Sequence, residues 1–115
     1  MFEEMLRKRG YTITALTDPR EALEAFRRKP ETFDLLLTDN VMPHLKGVEL
    51  AAEIKTTHPR FPVLGFSGFS EGITRENCQI YHFDRYLMKP VRLVELCRVL
   101  RELLERVAKD TTEAP

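Results

Sequence analysis

Short apolar runs alternate with amphipathic stretches along almost the whole chain. The runs at 33–38, 61–66 and 85–88 have the length of strands, and the first of them, FDLLLT, is typical of a strand buried on both faces. Together with the helical stretches they predict the order α-β-α-β-α-β-α-β-α. Strict alternation of this kind predicts parallel strands joined by right-handed crossovers, in a doubly wound α/β sheet.

The remaining elements follow from the same patterns. A strand with one wetter face is predicted at 11–15, and helices are predicted at 2–9, 19–29, 47–57, 71–80 and 93–107. The last helix is marked by apolar residues at helical spacing, namely Leu93, Leu96, Cys97, Leu100, Leu103, Leu104 and Val107. Length and pattern predict one domain over residues 1–108, followed by a polar tail over 109–115.

Composition excludes several functions. The 115 residues balance 18 Lys and Arg against 18 Asp and Glu, so neither a nucleic acid nor an anionic membrane surface is expected as a partner. The apolar runs are too short to span a bilayer, and the charged start is not a secretory signal. Cys78 and Cys97 lack metal-ligand spacing. They are expected to be reduced thiols, which predicts a cytoplasmic protein.

Three chemically complementary side chains follow successive predicted strands: Asp39, Ser67 and Lys89. Because the carboxyl ends of parallel strands meet at one edge of a sheet, these side chains are expected to converge on one crevice. Taken singly, each fits an ordinary surface or turn position. Together, a nucleophilic carboxylate, a hydroxyl donor and a mobile ammonium suit an acyl phosphate formed on Asp39, whose oxygens the other two would bind.

These residues lie in segments that resemble the receiver domains of response regulators in two-component signalling. The matching segments are FDLLLTDNVMPHLKGVEL at 33–50, FPVLGFSG at 61–68 and YLMKP at 86–90. The spacing D-x-x-M-P-x-x-x-G from Asp39 to Gly47 matches the family's phosphorylation loop. The Lys89-Pro90 pair matches its closing motif, in which the peptide bond is usually cis. The resemblance covers residues 2–107 and implies a flavodoxin-like receiver fold.

The resemblance implies a role for each site residue. Asp39 would be the phosphoacceptor, Ser67 the switch hydroxyl and Lys89 the phosphate-binding lysine. Val41 would lend its backbone carbonyl to Mg²⁺, for which Asp39 would also be a ligand. Tyr86 would be the aromatic switch, turning into the space left when Ser67 moves towards the phosphate.

The resemblance also implies partners. A histidine kinase or a phosphotransfer protein would supply the phosphoryl group, and a downstream protein would recognise the changed surface. The helix pattern is most similar to receivers of hybrid histidine kinases. The chain would not be an enzyme beyond self-catalysed phosphotransfer and dephosphorylation.

One part of the family pattern has no counterpart here. The family begins with a strand and an acidic pair that holds Mg²⁺, whereas this chain starts inside the following helix. Glu3 and Glu4 lie in that helix and do not replace the pair. With Asp39 as the acidic ligand, Mg²⁺ binding is expected to be weak. We hypothesise a truncated sequence whose open sheet edge favours a homodimer or strand exchange, which size-exclusion chromatography with light scattering would test.

Two other functions are compatible with parts of the sequence. A pseudo-receiver would keep the fold as a protein interaction module without being phosphorylated, and the missing acidic pair favours it. A hydrolase of the phosphoaspartate kind would need a second acid two positions beyond Asp39, where Val41 stands.

Overall fold

The computed structural model describes residues 2–39, 46–68 and 72–113, and it describes side chains for the same residues except Ser67 and 107–113. The helices are α1 (Glu3–Lys8), α2 (Pro19–Arg28), α3 (Gly47–Thr57) and α4 (Leu93–Glu113). The strands are β1 (Leu36–Asp39), β2 (Val63–Ser67) and β3 (Arg85–Met88). Two single 3₁₀ turns lie at Pro30–Thr32 and Cys78–Tyr81.

The three strands form one parallel sheet in the order β1-β2-β3. Leu36 lies opposite Val63, and Gly65 lies between Thr38 and Tyr86. Because all strands run the same way, their carboxyl ends lie at one edge of the sheet. The predicted α/β class with parallel strands is confirmed.

Both faces of the sheet are covered by helices, which explains why β1 lacks polar alternation. One face packs against α1 and α4, with a core of Leu6, Leu64, Leu87, Leu96, Val99, Leu100 and Leu103. The other face packs against α3 and the turn before β3, with a core of Ala51, Val63, Ile73, Cys78, Phe83 and Tyr86. A smaller cluster of Phe26, Leu50 and Ile54 joins α2 to α3.

The predicted strand at 11–15 is wrong. Residues 11–16 form no ladder with any strand in the described part of the chain. Their burial alternates as predicted, because Tyr11 and Ile13 pack against the α1–α4 core while Thr12 and Thr14 are exposed. The pattern thus identified the buried face correctly, but a strand also needs a neighbour to share its backbone hydrogen bonds.

The predicted helix at 71–80 is also wrong within the described residues 72–80, which contain turns and one 3₁₀ turn. Gly72 has a positive φ of 76°, which a helix does not use. The Asn77 side chain accepts from the Thr74 N–H at 2.7 Å and donates to the Gly72 carbonyl at 2.9 Å. These local bonds compete with the helical ones.

The first helix ends near its predicted limit, whereas the last helix is longer than predicted. α1 ends before Gly10, whose φ of 96° suits the left-handed position after a helix. α4 continues through the predicted polar tail as far as Glu113.

Among the helices described, none combines the length and apolarity needed to cross a membrane. Cys78 and Cys97 are free thiols, and burial raises the pKa of the Cys78 thiol.

Asp84 connects four elements at the amino ends of the strands. One carboxylate oxygen accepts from Lys55 Nζ at 2.6 Å and from the Val63 N–H at 2.8 Å. The other oxygen accepts from Arg106 Nη2 at 3.2 Å. Asp84 and Lys55 are both mostly buried, so their charges are desolvated and depend on each other.

Replacing Asp84 with alanine is expected to lower the free energy of unfolding by about 3 kcal/mol, because it removes the carboxylate that neutralises the mostly buried Lys55 ammonium and leaves the Val63 N–H without that acceptor. Urea denaturation measures this. Glu53→Ala is the matched control, since its ion pair with Arg27 at 2.8 Å is exposed and should contribute less than about 1 kcal/mol. Equal losses in the two variants would contradict the central role of Asp84.

Candidate functional site

Asp39 and Lys89 meet at the carboxyl edge of the sheet. Asp39 is the last residue of β1, and Lys89 directly follows β3, so the pair reaches across the end of β2. Lys89 Nζ donates to Asp39 Oδ2. The Asp39 side chain is 35% exposed and the Lys89 side chain is 45% exposed. The structure therefore brings together the acid and the lysine that the sequence predicted, in a place that a ligand can reach.

Ser67 ends β2, between the strands that carry Asp39 and Lys89, where its backbone lies opposite Met88. Its side chain lies outside the described part, as does Val41 with the rest of 40–45. The backbone of Ser67 therefore lies at the predicted strand end, and the role of its hydroxyl stays a prediction. The peptide bond between Lys89 and Pro90 is cis, as expected.

Tyr86 points into the face of the sheet covered by α3. It is only 6% exposed and belongs to the core cluster that contains Phe83 and Ala51. The aromatic side chain is therefore already inside the protein while Lys89 pairs with Asp39. The turn of Tyr86 into a space left by Ser67 stays a prediction.

A magnesium site needs more donors than this edge provides in the described residues. Mg²⁺ requires near-octahedral oxygen coordination, usually with one or two carboxylates plus waters. No group of three or more His, Cys, Asp or Glu side chains suited to a metal occurs within 2–39, 46–68 and 72–113. Glu3 and Glu4 are exposed on α1, and Glu4 faces Lys8 at 3.9 Å. The described residues of this edge therefore do not by themselves provide a complete set of oxygen donors for Mg²⁺.

Two charged side chains on helices, Glu102 and Arg20, have shifted pKa values for structural reasons. A hydrogen bond from Arg85, at 2.8 Å, lowers the pKa of Glu102, and the Asp18 carboxylate that caps α2 raises the pKa of Arg20. Both groups are surface ion-pair partners on helices, so they bear on stability and not on chemistry at the strand ends.

The sequence reasoning did not assign a role to Thr38, which directly precedes Asp39. Its side chain is 4% exposed, and its hydroxyl donates to the backbone carbonyl of Asp39 at 2.9 Å. The available signal was a polar residue directly after three leucines and directly before Asp39. Gly65 was missed as well: a Cβ at this position would lie 2.5 Å from the Phe83 ring.

Curated relatives match this chain over most of its length. It is 32% identical over 101 residues to the sensor kinase CckA of Brucella abortus, covering 88% of this chain and 11% of that protein. It is 30% identical over 99 residues to the response regulator receiver protein CpdR of the same organism, covering 86% of this chain and 81% of CpdR. The chain thus spans about a tenth of one relative and most of the other.

Solved structures agree with these matches. A response regulator receiver domain protein from Clostridium thermocellum superposes with a TM-score of 0.86 at 23% identity, over 93% of this chain and 85% of that one. The receiver domain of the sensor histidine kinase PA1611 from Pseudomonas aeruginosa PAO1 superposes with a TM-score of 0.77 at 30% identity, over 90% and 85%. That structure has a magnesium ion coordinated in its active site cleft.

The parallel sheet, the Asp39–Lys89 pair at its carboxyl edge and the similarity to receiver structures point to one family. The family model for the response regulator receiver domain matches residues 1–101. The chain belongs to the response regulator receiver domain family.

Proposed function

We propose that this chain is a phosphoacceptor domain of a phosphorelay, phosphorylated on Asp39 by a histidine kinase or a phosphotransfer protein and acting through protein contacts. Receiver domains work in two-component signal transduction, where they interact with such kinases and transfer proteins, and they are generally not enzymes themselves. The observation that carries the proposal is the Lys89–Asp39 pair at the exposed strand ends. We place the protein in the cytoplasm, where a kinase's phosphorylated histidine would be accessible.

The chemistry follows from the two side chains. An Asp39 carboxylate oxygen attacks phosphorus and forms an acyl phosphate, while the bond from phosphorus to the donor nitrogen breaks and the donor leaves with that electron pair. Lys89 then faces a group carrying about two negative charges instead of one carboxylate. Its ammonium is expected to remain on the phosphoryl oxygens and stabilise the product. Ser67 is proposed to donate its hydroxyl to the same oxygens.

Phosphorylation is proposed to change the packing around Tyr86. The new charges draw Lys89 and the Ser67 segment towards Asp39, and Lys89 is joined through β3 to Tyr86. A partner that binds the phosphorylated arrangement more tightly shifts the equilibrium by its difference in affinity. The downstream partner is therefore proposed to be a protein that contacts β3 and α4. A homodimer, or exchange of a strand along the outer edge of β1, is proposed as a second association.

Mg²⁺ is proposed as a weakly bound cofactor, with Asp39 and the Val41 carbonyl among its ligands. The magnesium ion in the PA1611 receiver supports the identity of the metal. When bound, the cation would neutralise charge that develops on the transferred group. The incomplete donor set in the described residues supports the weak affinity.

A pseudo-receiver is the second candidate, and that same donor set favours it. The two functions differ in what beryllofluoride, a mimic of the phosphoryl group, does to the protein. Amide NMR spectra are recorded with Mg²⁺, before and after beryllofluoride is added. In parallel, mass spectrometry follows the chain after incubation with a small acyl phosphate donor.

The proposal predicts shifts of the amide resonances of Asp39, Ser67 and Tyr86, together with a mass gain of one phosphoryl group on the peptide containing Asp39. The matched control is Asp34→Asn, an exposed position just before β1 that should respond like the unmodified protein. Unchanged spectra with no mass gain at any Mg²⁺ concentration would favour the pseudo-receiver and reject phosphorylation of Asp39.

A further inference from the structure

Thr38 is a buried hydroxyl in contact with the proposed phosphoacceptor. In the part of the chain for which side chains are described, it is the polar residue that belongs to the core. Its Oγ1 donates to the carbonyl oxygen of Asp39 at 2.9 Å. A hydroxyl in an apolar environment is costly unless it is hydrogen-bonded, so this contact is an integral part of the local structure.

The direction of the backbone groups along β1 explains what the Thr38 hydroxyl contributes. The N–H of Leu36 donates to Pro62 at the start of β2 at 3.0 Å, so the backbone groups of Leu36 and Thr38 are directed towards β2. Successive residues of a strand alternate in direction, and the Asp39 carbonyl is therefore directed away from β2. The Thr38 hydroxyl supplies a donor on that side, at the last residue of β1.

Packing alone does not account for a threonine here. Thr38 lies opposite Gly65 in the sheet and, because strand residues alternate between faces, on the same face as Leu36, which packs against the core cluster at α3. A valine has nearly the same shape and would fill a buried strand position without a polar atom to satisfy. What valine lacks is the hydroxyl, and the hydroxyl is bonded to Asp39.

We infer that Thr38 is a positioning residue for Asp39: its hydroxyl fixes the peptide group that follows the phosphoacceptor, and thereby the direction of the carboxylate towards Lys89. This inference rests on the proposed phosphorylation of Asp39. A fixed carboxylate is held where an incoming phosphorus atom can be attacked, whereas a mobile one must be ordered during the reaction.

The test compares Thr38→Val, which removes the hydroxyl at constant shape, with Thr38→Ser, which keeps it. With a small acyl phosphate donor, the maximal rate of Asp39 phosphorylation should fall about fivefold to tenfold in Thr38→Val, the rate equivalent of one hydrogen bond. The donor concentration at half-maximal rate should not change, and Thr38→Ser should restore most of the rate. Urea denaturation of each variant controls for stability.

A second measurement does not depend on phosphorylation. The ¹³C resonances of the Asp39 carboxyl and backbone carbonyl should both shift in Thr38→Val and stay near their original positions in Thr38→Ser. Equal effects of valine and serine, or an unmoved carboxyl resonance, would overturn the positioning role. If the unmodified protein takes up no phosphoryl group, the proposed function fails, and the two resonances still decide whether Thr38 positions Asp39.

Discussion

Replacing Asp39 with asparagine is expected to lower the maximal rate of phosphoryl uptake by at least about a thousandfold. The carboxylate oxygen is the nucleophile of the proposed reaction, and an amide of the same shape cannot form the acyl phosphate. The fold should persist, because Asp39 and Lys89 are 35% and 45% exposed and such a pair contributes less than about 1 kcal/mol. Intact-protein mass spectrometry and urea denaturation measure the two quantities.

Lys89→Ala separates the two halves of the pair. It leaves the nucleophile in place but removes the cation that faces it, so the rate should fall by about tenfold to a hundredfold instead of vanishing. Asp34→Asn again serves as the exposed control, with an unchanged rate. Phosphorylation of Asp39→Asn at the original rate would mean that another residue accepts the phosphoryl group, and the proposed function would have to be abandoned.

A large loss of stability is expected from Gly65→Ala. A Cβ at this position would lie 2.5 Å from Cδ2 and Cε2 of Phe83, whose side chain is fully buried. The ring cannot move without disturbing the core between the sheet and α3, because side chains there are close-packed. We expect the free energy of unfolding to fall by about 3 kcal/mol, as measured by urea denaturation.

Two further variants test this explanation. Gly72→Ala is the control, since among the described residues other than its chain neighbours no atom lies within 4 Å of its Cβ position, and its φ of 76° is what opposes a side chain. It should cost about 1 kcal/mol. Phe83→Leu combined with Gly65→Ala should be less destabilised than the sum of the single variants by about 1 kcal/mol or more. Strict additivity would show that the Phe83 ring is not what excludes a side chain at Gly65.

Much of the fold could be predicted because strong local patterns coincided with the tertiary structure. The strand Arg85–Met88 and the helix Gly47–Thr57 have the predicted limits. The alternation at 11–15 led to a wrong prediction of a strand, since strand pairing depends on a neighbour elsewhere in the chain. The prediction of a helix at 71–80 was wrong for a local reason, because the side-chain hydrogen bonds of Asn77 compete with the backbone bonds of a helix.

Some features of the candidate site could likewise be predicted from the sequence, and others could not. Asp39 and Lys89 could be predicted to converge because both follow strands, and parallel strands present their carboxyl ends together. The burial of Tyr86 depends on Phe83 together with Ile73 and α3, and the last two lie far from it in the sequence. The bond from Thr38 to Asp39 depends on which way the strand end turns.

The sequence by itself determined the α/β class, the parallel direction of the strands and the identity of the acid and the lysine at their ends, because hydrophobic periodicity and residue order carry that information. Only the tertiary structure decided that Thr38 bonds to Asp39, that Gly65 must leave room for Phe83 and that Tyr86 is buried. The physical reason is that the bond from Thr38 depends on the direction of the backbone at the end of β1, while the other two features depend on the packing of side chains from different elements, and short-range patterns encode neither.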